Sequence, residues 1–214
     1  MVKPRPNPAK RVCHAEPDTL IYVIGHNLYV NLTDRCTLAC SFCPKHNNSK
    51  EVRDYNLTLS NRPDPEKIIQ LIGDPQQYDE VVFCGFGEPT LRLKALIRIA
   101  NAVKASGGKT RLNTDGLGSL FHKEDIVPLL ATCIDAVSVS LNAQNEHLYE
   151  KHCSPSLPHS YSAVLSFIER ASHWIPEVTA TAIDGLEGVD ISACQILAKE
   201  RGAQFRARTL DQVG

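Results

Sequence analysis

Long apolar runs are missing from this sequence. No stretch approaches the roughly eighteen apolar residues that a membrane-spanning helix needs, so no membrane span is expected. The opening residues lack the charged, apolar and cleavage-site order of a secretory signal, which makes the cytoplasm the expected compartment. An excess of either charge is also absent. The 23 Lys and Arg against 24 Asp and Glu leave a formal net charge of −1, which argues against indiscriminate binding to nucleic acid or to a membrane surface. No repeat of fixed period marks a solenoid. What remains is an ordinary globular composition, 43% apolar and 22% charged, and 214 residues suffice for one domain with a substantial core.

The expected organisation is a basic, proline-rich arm over residues 1–16 followed by a single domain over 17–214. The arm carries Lys3, Arg5, Lys10 and Arg11 without an apolar period. Eight cysteines would suit four disulfides in a secreted chain, but with no export signal all eight read as reduced or metal-bound. Five of them are scattered singly, and Cys84 stands out because it directly precedes a glycine-rich turn.

The other three, Cys36, Cys40 and Cys43, fall within eight residues as C-x3-C-x2-C. That spacing puts three thiolates on one small loop and supplies no fourth, so a four-iron cluster held there would keep one iron open for chemistry. The rival is a closed zinc site, which needs four ligands and has only His46 nearby to complete the set.

From Thr19, two β-rich runs around Gly25-His26 read as a hairpin whose second strand leads into the cysteine loop. Residues 45–62 read as a long loop. Asp64-Pro65 then opens a helix, and strands and helices alternate. Strands are expected over 81–86, 110–114, 136–141, 178–183 and 204–208, and helices over 91–105, 125–132, 162–173 and 191–200. With residues 28–32 as the first, six strands joined by helices call for an α/β fold with a parallel sheet, curled into an open, incomplete barrel. A flat doubly wound sheet is the rival.

Buried parallel strands are usually continuous apolar runs, yet several here alternate. Val137, Val139 and Leu141 interleave with Ser138, Ser140 and Asn142, and Phe205 and Ala207 with Arg206 and Arg208. If the apolar sets face the helices, the polar sets line a wet lumen. The second notable turn, Gly85-Phe86-Gly87-Glu88-Pro89, ends a strand, where parallel α/β folds place their ligands. Its glycines allow close backbone approach, Glu88 can accept from an ammonium group, and Pro89 suits the first turn of a helix.

Together with Asn113-Thr114-Asp115-Gly116 and Ser138 to Ala143, these motifs resemble the radical S-adenosylmethionine (radical SAM) enzymes. The likeness runs from about residue 28 to 208 and is greatest to the small TatD-associated members. It implies a partial, open parallel (β/α)6 barrel with an N-terminal β-hairpin. It implies that Cys36, Cys40 and Cys43 hold a [4Fe–4S] cluster whose open iron is chelated by S-adenosylmethionine. Reductive cleavage would then yield methionine and a 5′-deoxyadenosyl radical that abstracts hydrogen from a substrate.

By that resemblance Phe42 packs near the adenine, and Gly85, Phe86, Gly87 and Glu88 meet the methionine ammonium. Asn113, Ser138, Ser140 and Asn142 line the ribose and carboxylate side. The implied partners are a small-molecule, peptide or protein substrate and a reducing electron donor such as flavodoxin or ferredoxin. Two departures stand out. Phe86 enters a turn that is usually Gly-Gly-Glu-Pro, and no cysteine-rich C-terminal extension for auxiliary clusters follows the last strand. Arg206 and Arg208 are candidates to clamp an anionic group of the substrate or the carboxylate of S-adenosylmethionine. Most histidines outside the motifs read as surface residues. Alternatives are an activase acting on a partner protein, and a non-enzymatic iron–sulfur electron carrier, which a fourth cysteine ligand would favour.

Overall fold

The structure, a computed structural model, describes residues 18–46 and 51–210. The expected basic arm lies outside them. The chain begins with a hairpin of β1 (Ile21–Ile24) and β2 (Asn27–Val30), turning at Gly25 with φ of 61°. A second, small hairpin follows, β3 (Glu51–Val52) with β4 (Tyr55–Asn56), inside the segment expected to be a plain loop. Then come α1 (Pro65–Ile72), β5 (Val81–Phe83), α2 (Leu93–Ala105), β6 (Thr110–Thr114), α3 (Gly118–His122) and α4 (Val127–Leu130). The chain continues through β7 (Ala136–Ser140), α5 (Glu146–Cys153), α6 (Ser160–Trp174), β8 (Glu177–Asp184), α7 (Ile191–Glu200) and β9 (Gln204–Thr209).

One seven-stranded sheet has the order β1-β2-β5-β6-β7-β8-β9, antiparallel only between β1 and β2. The six parallel strands are therefore neighbours in chain order. A doubly wound sheet would reverse direction partway, so the flat alternative is excluded. Successive right-handed crossovers put the helices on one face of such a sheet and leave the other as a lumen.

Local chemistry explains the elements. The Asp64 carboxylate accepts the Glu66 N–H at the start of α1, with Pro65 in the first turn. Helix α2 buries Leu96, Ile99, Ala100 and Val103 against the sheet and ends before Gly107, which takes φ of 78°. Each fully buried Leu or Ile of this kind contributes roughly 1.5–3 kcal/mol. At the N-terminal end of the lumen, Arg111 makes a two-pronged contact with Glu80, Nε to Oε2 at 2.6 Å and Nη2 to Oε1 at 2.7 Å, beside Glu177 at 3.7 Å.

Some expectations are corrected. The strand after α1 stops at Phe83 rather than Phe86, because its last parallel bond is from the Cys84 N–H to the Val30 carbonyl and the chain then turns onto the cysteine loop. The expected 125–132 helix is only Val127–Leu130. Helix α5 was not legible as a helix: its buried stripe is Tyr149, His152 and Cys153, only partly apolar. The Asn145 cap, which accepts the Leu148 N–H at 3.0 Å, is the signal that marks it. His152 is buried and bonded to the Glu187 carbonyl, so it is no surface residue.

Candidate active site

The cysteine loop leaves β2 through Asn31, which is wholly buried. Its Nδ2 donates to the carbonyls of Thr19 (3.0 Å) and Leu57 (2.9 Å), tying the two hairpins together. The loop is then laced to the C-terminal end of α5. The Ala39 N–H donates to the Cys153 carbonyl at 3.0 Å, the Ser41 N–H to that of His152 at 2.9 Å, and the Ser156 N–H to that of Thr37 at 2.9 Å. The unforeseen helix is thus the main support of the cysteines.

The glycine-rich turn packs onto the same loop. A Cβ on Gly87 would lie 2.3 Å from the Arg35 carbonyl oxygen and 2.5 Å from that of Thr33, and one on Gly85 would lie 2.2 Å from Asn31 Oδ1. Neither residue has positive φ. These glycines therefore make room for the cysteine loop, whereas the sequence suggested room for a ligand. Phe86 packs with Tyr22, Val52 and Leu57 in a small second core, so its bulk serves the hairpins that roof this side. Tyr22 also stacks on Tyr29 at 5.1 Å.

Glu88 is nearly inaccessible. Its Oε1 accepts from Thr90 N (2.9 Å), Thr90 Oγ1 (2.6 Å) and Thr114 Oγ1 (2.9 Å), and its Oε2 from the Asp115 N–H (2.7 Å). It spends its acceptor capacity mainly on joining the ends of β5 and β6. Asp115 in turn accepts Thr37 Oγ1 at 2.7 Å and the Leu117 N–H at 2.9 Å, anchoring the cysteine loop from below. Burial, then the Asp115 carboxylate, push the Cys36 thiol up to about 12. A hydrogen bond with Cys153, then burial, raise Cys40. Loading a metal here must therefore displace protons.

One cavity of about 510 Å³ opens among these elements. Cys36, Cys40, Cys43 and Phe42 line it, as do Gly85, Phe86, Gly87 and Glu88. So do Asn113, Ser138, Ser140 and Asn142 from β6, β7 and the turn after β7, and Arg206 and Arg208 from β9. The candidate cluster, cofactor and substrate residues all line the same space, and the alternating strands do turn their polar sides inward. Tyr22, which the sequence did not single out, also lines it, as do Thr181 and Asp115, the latter quoted only as part of the Asn113 to Gly116 motif. Cys84 lines it too. Cys153 was not singled out either, because its closeness to Cys40 depends on α5.

Among the described residues no three His, Cys, Asp or Glu side chains converge on a single point that could grip one ion. The rest of the lining suits a polar cofactor. Among the described residues Asn113 Oδ1 and Asn142 Oδ1 are buried acceptors without a donor, and Arg208 Nε is a buried donor without an acceptor. Groups left open in this way are costly unless a ligand completes them.

A protein-family model described as the Radical SAM superfamily matches residues 30–199, and the chain belongs to that superfamily. Solved structures share its fold. The SuiB protein of Streptococcus suis bound to its precursor peptide SuiA gives a TM-score of 0.66 at 16% identity, covering 89% of this chain and 40% of that one. The protein anSMEcpe with bound AdoMet gives 0.60 at 16% identity, covering 85% and 50%. HydG, a maturase of the [FeFe]-hydrogenase, gives 0.58 at 13%, covering 88% and 43%. The chain spans about half or less of the length of each. No curated protein sequence matches it. Among the described residues no helix is long and apolar enough to cross a membrane.

Proposed function

We propose that this protein is a radical SAM enzyme in which Cys36, Cys40 and Cys43 hold a [4Fe–4S] cluster and the same cavity binds S-adenosylmethionine. The observation that carries this reading is that three cysteines from one loop and polar residues from β6, β7, β8, β9 and the turn after β5 line a single cavity. When bound, the reduced cluster and S-adenosylmethionine together supply a 5′-deoxyadenosyl radical for hydrogen abstraction. The chain's own residues do the placing.

Thr37 and Asp115 hold the loop, and the α5 end fixes its far side. Asn113 Oδ1 and Asn142 Oδ1 are free to accept from the ribose or ammonium of the cofactor, with Ser138 and Ser140 beside them. Glu88 acts on the cofactor through the backbone it positions. Phe42, half-buried on the loop, offers an apolar surface for the adenine. Phe86, Tyr22 and Leu57 exclude water from the hairpin side, which protects a radical from quenching. An electron donor and a substrate complete the reaction; reduced flavodoxin or ferredoxin fits the first role.

The test is anaerobic reconstitution with iron and sulfide, reduction by dithionite, and chromatography for 5′-deoxyadenosine after addition of S-adenosylmethionine. The wild type is expected to form it and Cys40→Ala to lose both cluster absorbance and product. A wild type that holds a reducible four-iron cluster but makes no 5′-deoxyadenosine overturns the enzyme reading.

A further inference from the structure

The last strand carries two arginines to the cavity, and among the described residues neither makes an ion pair. Arg206 stands opposite Thr181 in register and Arg208 opposite Ile183, and both arginines line the cavity. The ion pairs among the described residues engage Arg98, Lys104, Arg111, Lys151, Arg170 and Arg201, and neither arginine of β9. Arg208 is half-buried, its Nε wholly buried with no partner among the described residues, whereas Arg206 is exposed at the cavity's edge. Of the carboxylates that line the cavity, Glu88 and Asp115 are engaged by Thr90, Thr114, Thr37 and backbone N–H groups, and Glu51 is exposed on β3.

A guanidinium that is desolvated without a partner is unfavourable in the free protein, and a planar fork of N–H donors matches the geometry of a carboxylate or phosphate. Open acceptors, Asn113 Oδ1 on β6 and Asn142 Oδ1 in the turn after β7, lie elsewhere in the same cavity, which divides it by polarity. Ile183 and Leu210, beside Arg208 in register and sequence, add apolar surface at the cationic end.

We propose that Arg206 and Arg208 form an oxyanion subsite that holds a carboxylate or phosphate group of the substrate, so that the substrate is an organic anion with an apolar portion beside the charge. This rests on the enzyme reading above and names the substrate class for it.

The experiment is calorimetric titration of the cluster-loaded protein with phenylphosphate, with and without saturating S-adenosylmethionine. Wild type is expected to bind one phenylphosphate, unaffected by S-adenosylmethionine, and Arg206→Gln/Arg208→Gln to bind it roughly tenfold or more weakly. Arg208→Lys, which keeps the charge but loses the fork, is expected to fall between them. Equal affinity in the double variant, or no binding by wild type, overturns the proposal. So does displacement by S-adenosylmethionine, which would assign the arginines to the cofactor's own carboxylate. That competition needs no variant, so a misfolded double variant leaves the proposal testable. Absence of 5′-deoxyadenosine sinks the enzyme reading alone, because phenylphosphate binding is read without turnover.

Discussion

Glu88, at the end of the turn after β5, accepts the backbone N–H of Asp115, at the end of β6, at 2.7 Å, and Asp115 accepts the Thr37 hydroxyl of the cysteine loop at the same distance. Two carboxylates in series thus link two strand ends to the loop that carries the thiols. Glu88→Gln puts an amide N–H₂ where one carboxylate oxygen now accepts N–H and O–H donors. The expected loss is about 1–3 kcal/mol of stability in the metal-free protein, read from its urea midpoint. An unchanged midpoint would show that the link is dispensable.

The same pair sets a pH dependence. Burial, then the Asp115 charge, push the Glu88 carboxyl up from the usual 4.5. A carboxyl whose folded pKa is raised stabilises the fold below its unfolded pKa, and that contribution is lost as pH rises toward the folded value. The stability advantage of wild type over Glu88→Gln is therefore expected to shrink from pH 5 toward about 8, the value Glu88 reaches. Paired denaturation curves at each pH measure it, and an advantage that grows with pH would contradict the shift.

Gly87 and Gly25 separate two reasons for glycine. Gly87→Ala drives a Cβ into the Arg35 and Thr33 carbonyls at 2.3 and 2.5 Å, backbone atoms that cannot step aside without moving the cysteine loop. We expect failure to fold or loss of cluster loading. Gly25→Ala meets nothing within 4 Å and only strains φ at 61°, so it should cost about 1–2 kcal/mol and leave loading intact. Iron content after reconstitution distinguishes them, and equal loading by both variants would refute the packing role.

Tyr149 is fully buried, and its hydroxyl has no partner among the described residues. Tyr149→Phe should therefore leave the metal-free protein as stable or raise its stability by about 1 kcal/mol. A clear loss in thermal or urea unfolding would reveal a partner for that hydroxyl.

Cys153, the last residue of α5, touches Cys40, but its sulfur accepts Asn142 Nδ2 from the turn after β7 at 3.4 Å, and it does not line the cavity. Cys153→Ala is expected to retain iron and sulfide close to wild type, unlike Cys40→Ala. Loss of the cluster in Cys153→Ala would make Cys153 a fourth ligand and revive the electron-carrier alternative.

Much of the architecture was legible because its signals are local. Asp64-Pro65 marks a helix start, Gly107 a stop, and the Ser138-Val139-Ser140 alternation states which side of a strand is wet. The hairpin over 51–56 and helix α5 were not legible, the first because its strands are two residues each, the second because its buried face includes His152 and Cys153. Glu88 shows the limit within a recognised motif: an acidic side chain in a ligand-binding turn suggests an ammonium partner, and only the packed structure reveals that Thr90, Thr114 and Asp115 already engage it.

By itself the sequence determined the three thiols at their spacing, the order of strands and helices, and the polar face of each strand, since all follow from residue type and period along the chain. Tertiary structure alone decided that Cys153 supports Cys40, that Gly85 and Gly87 yield to the cysteine loop, and that Arg206 and Arg208 reach the same cavity as the thiols with no ion pair among the described residues. Those relations join residues far apart in the chain, and only the curl of the parallel sheet brings them within reach of one another.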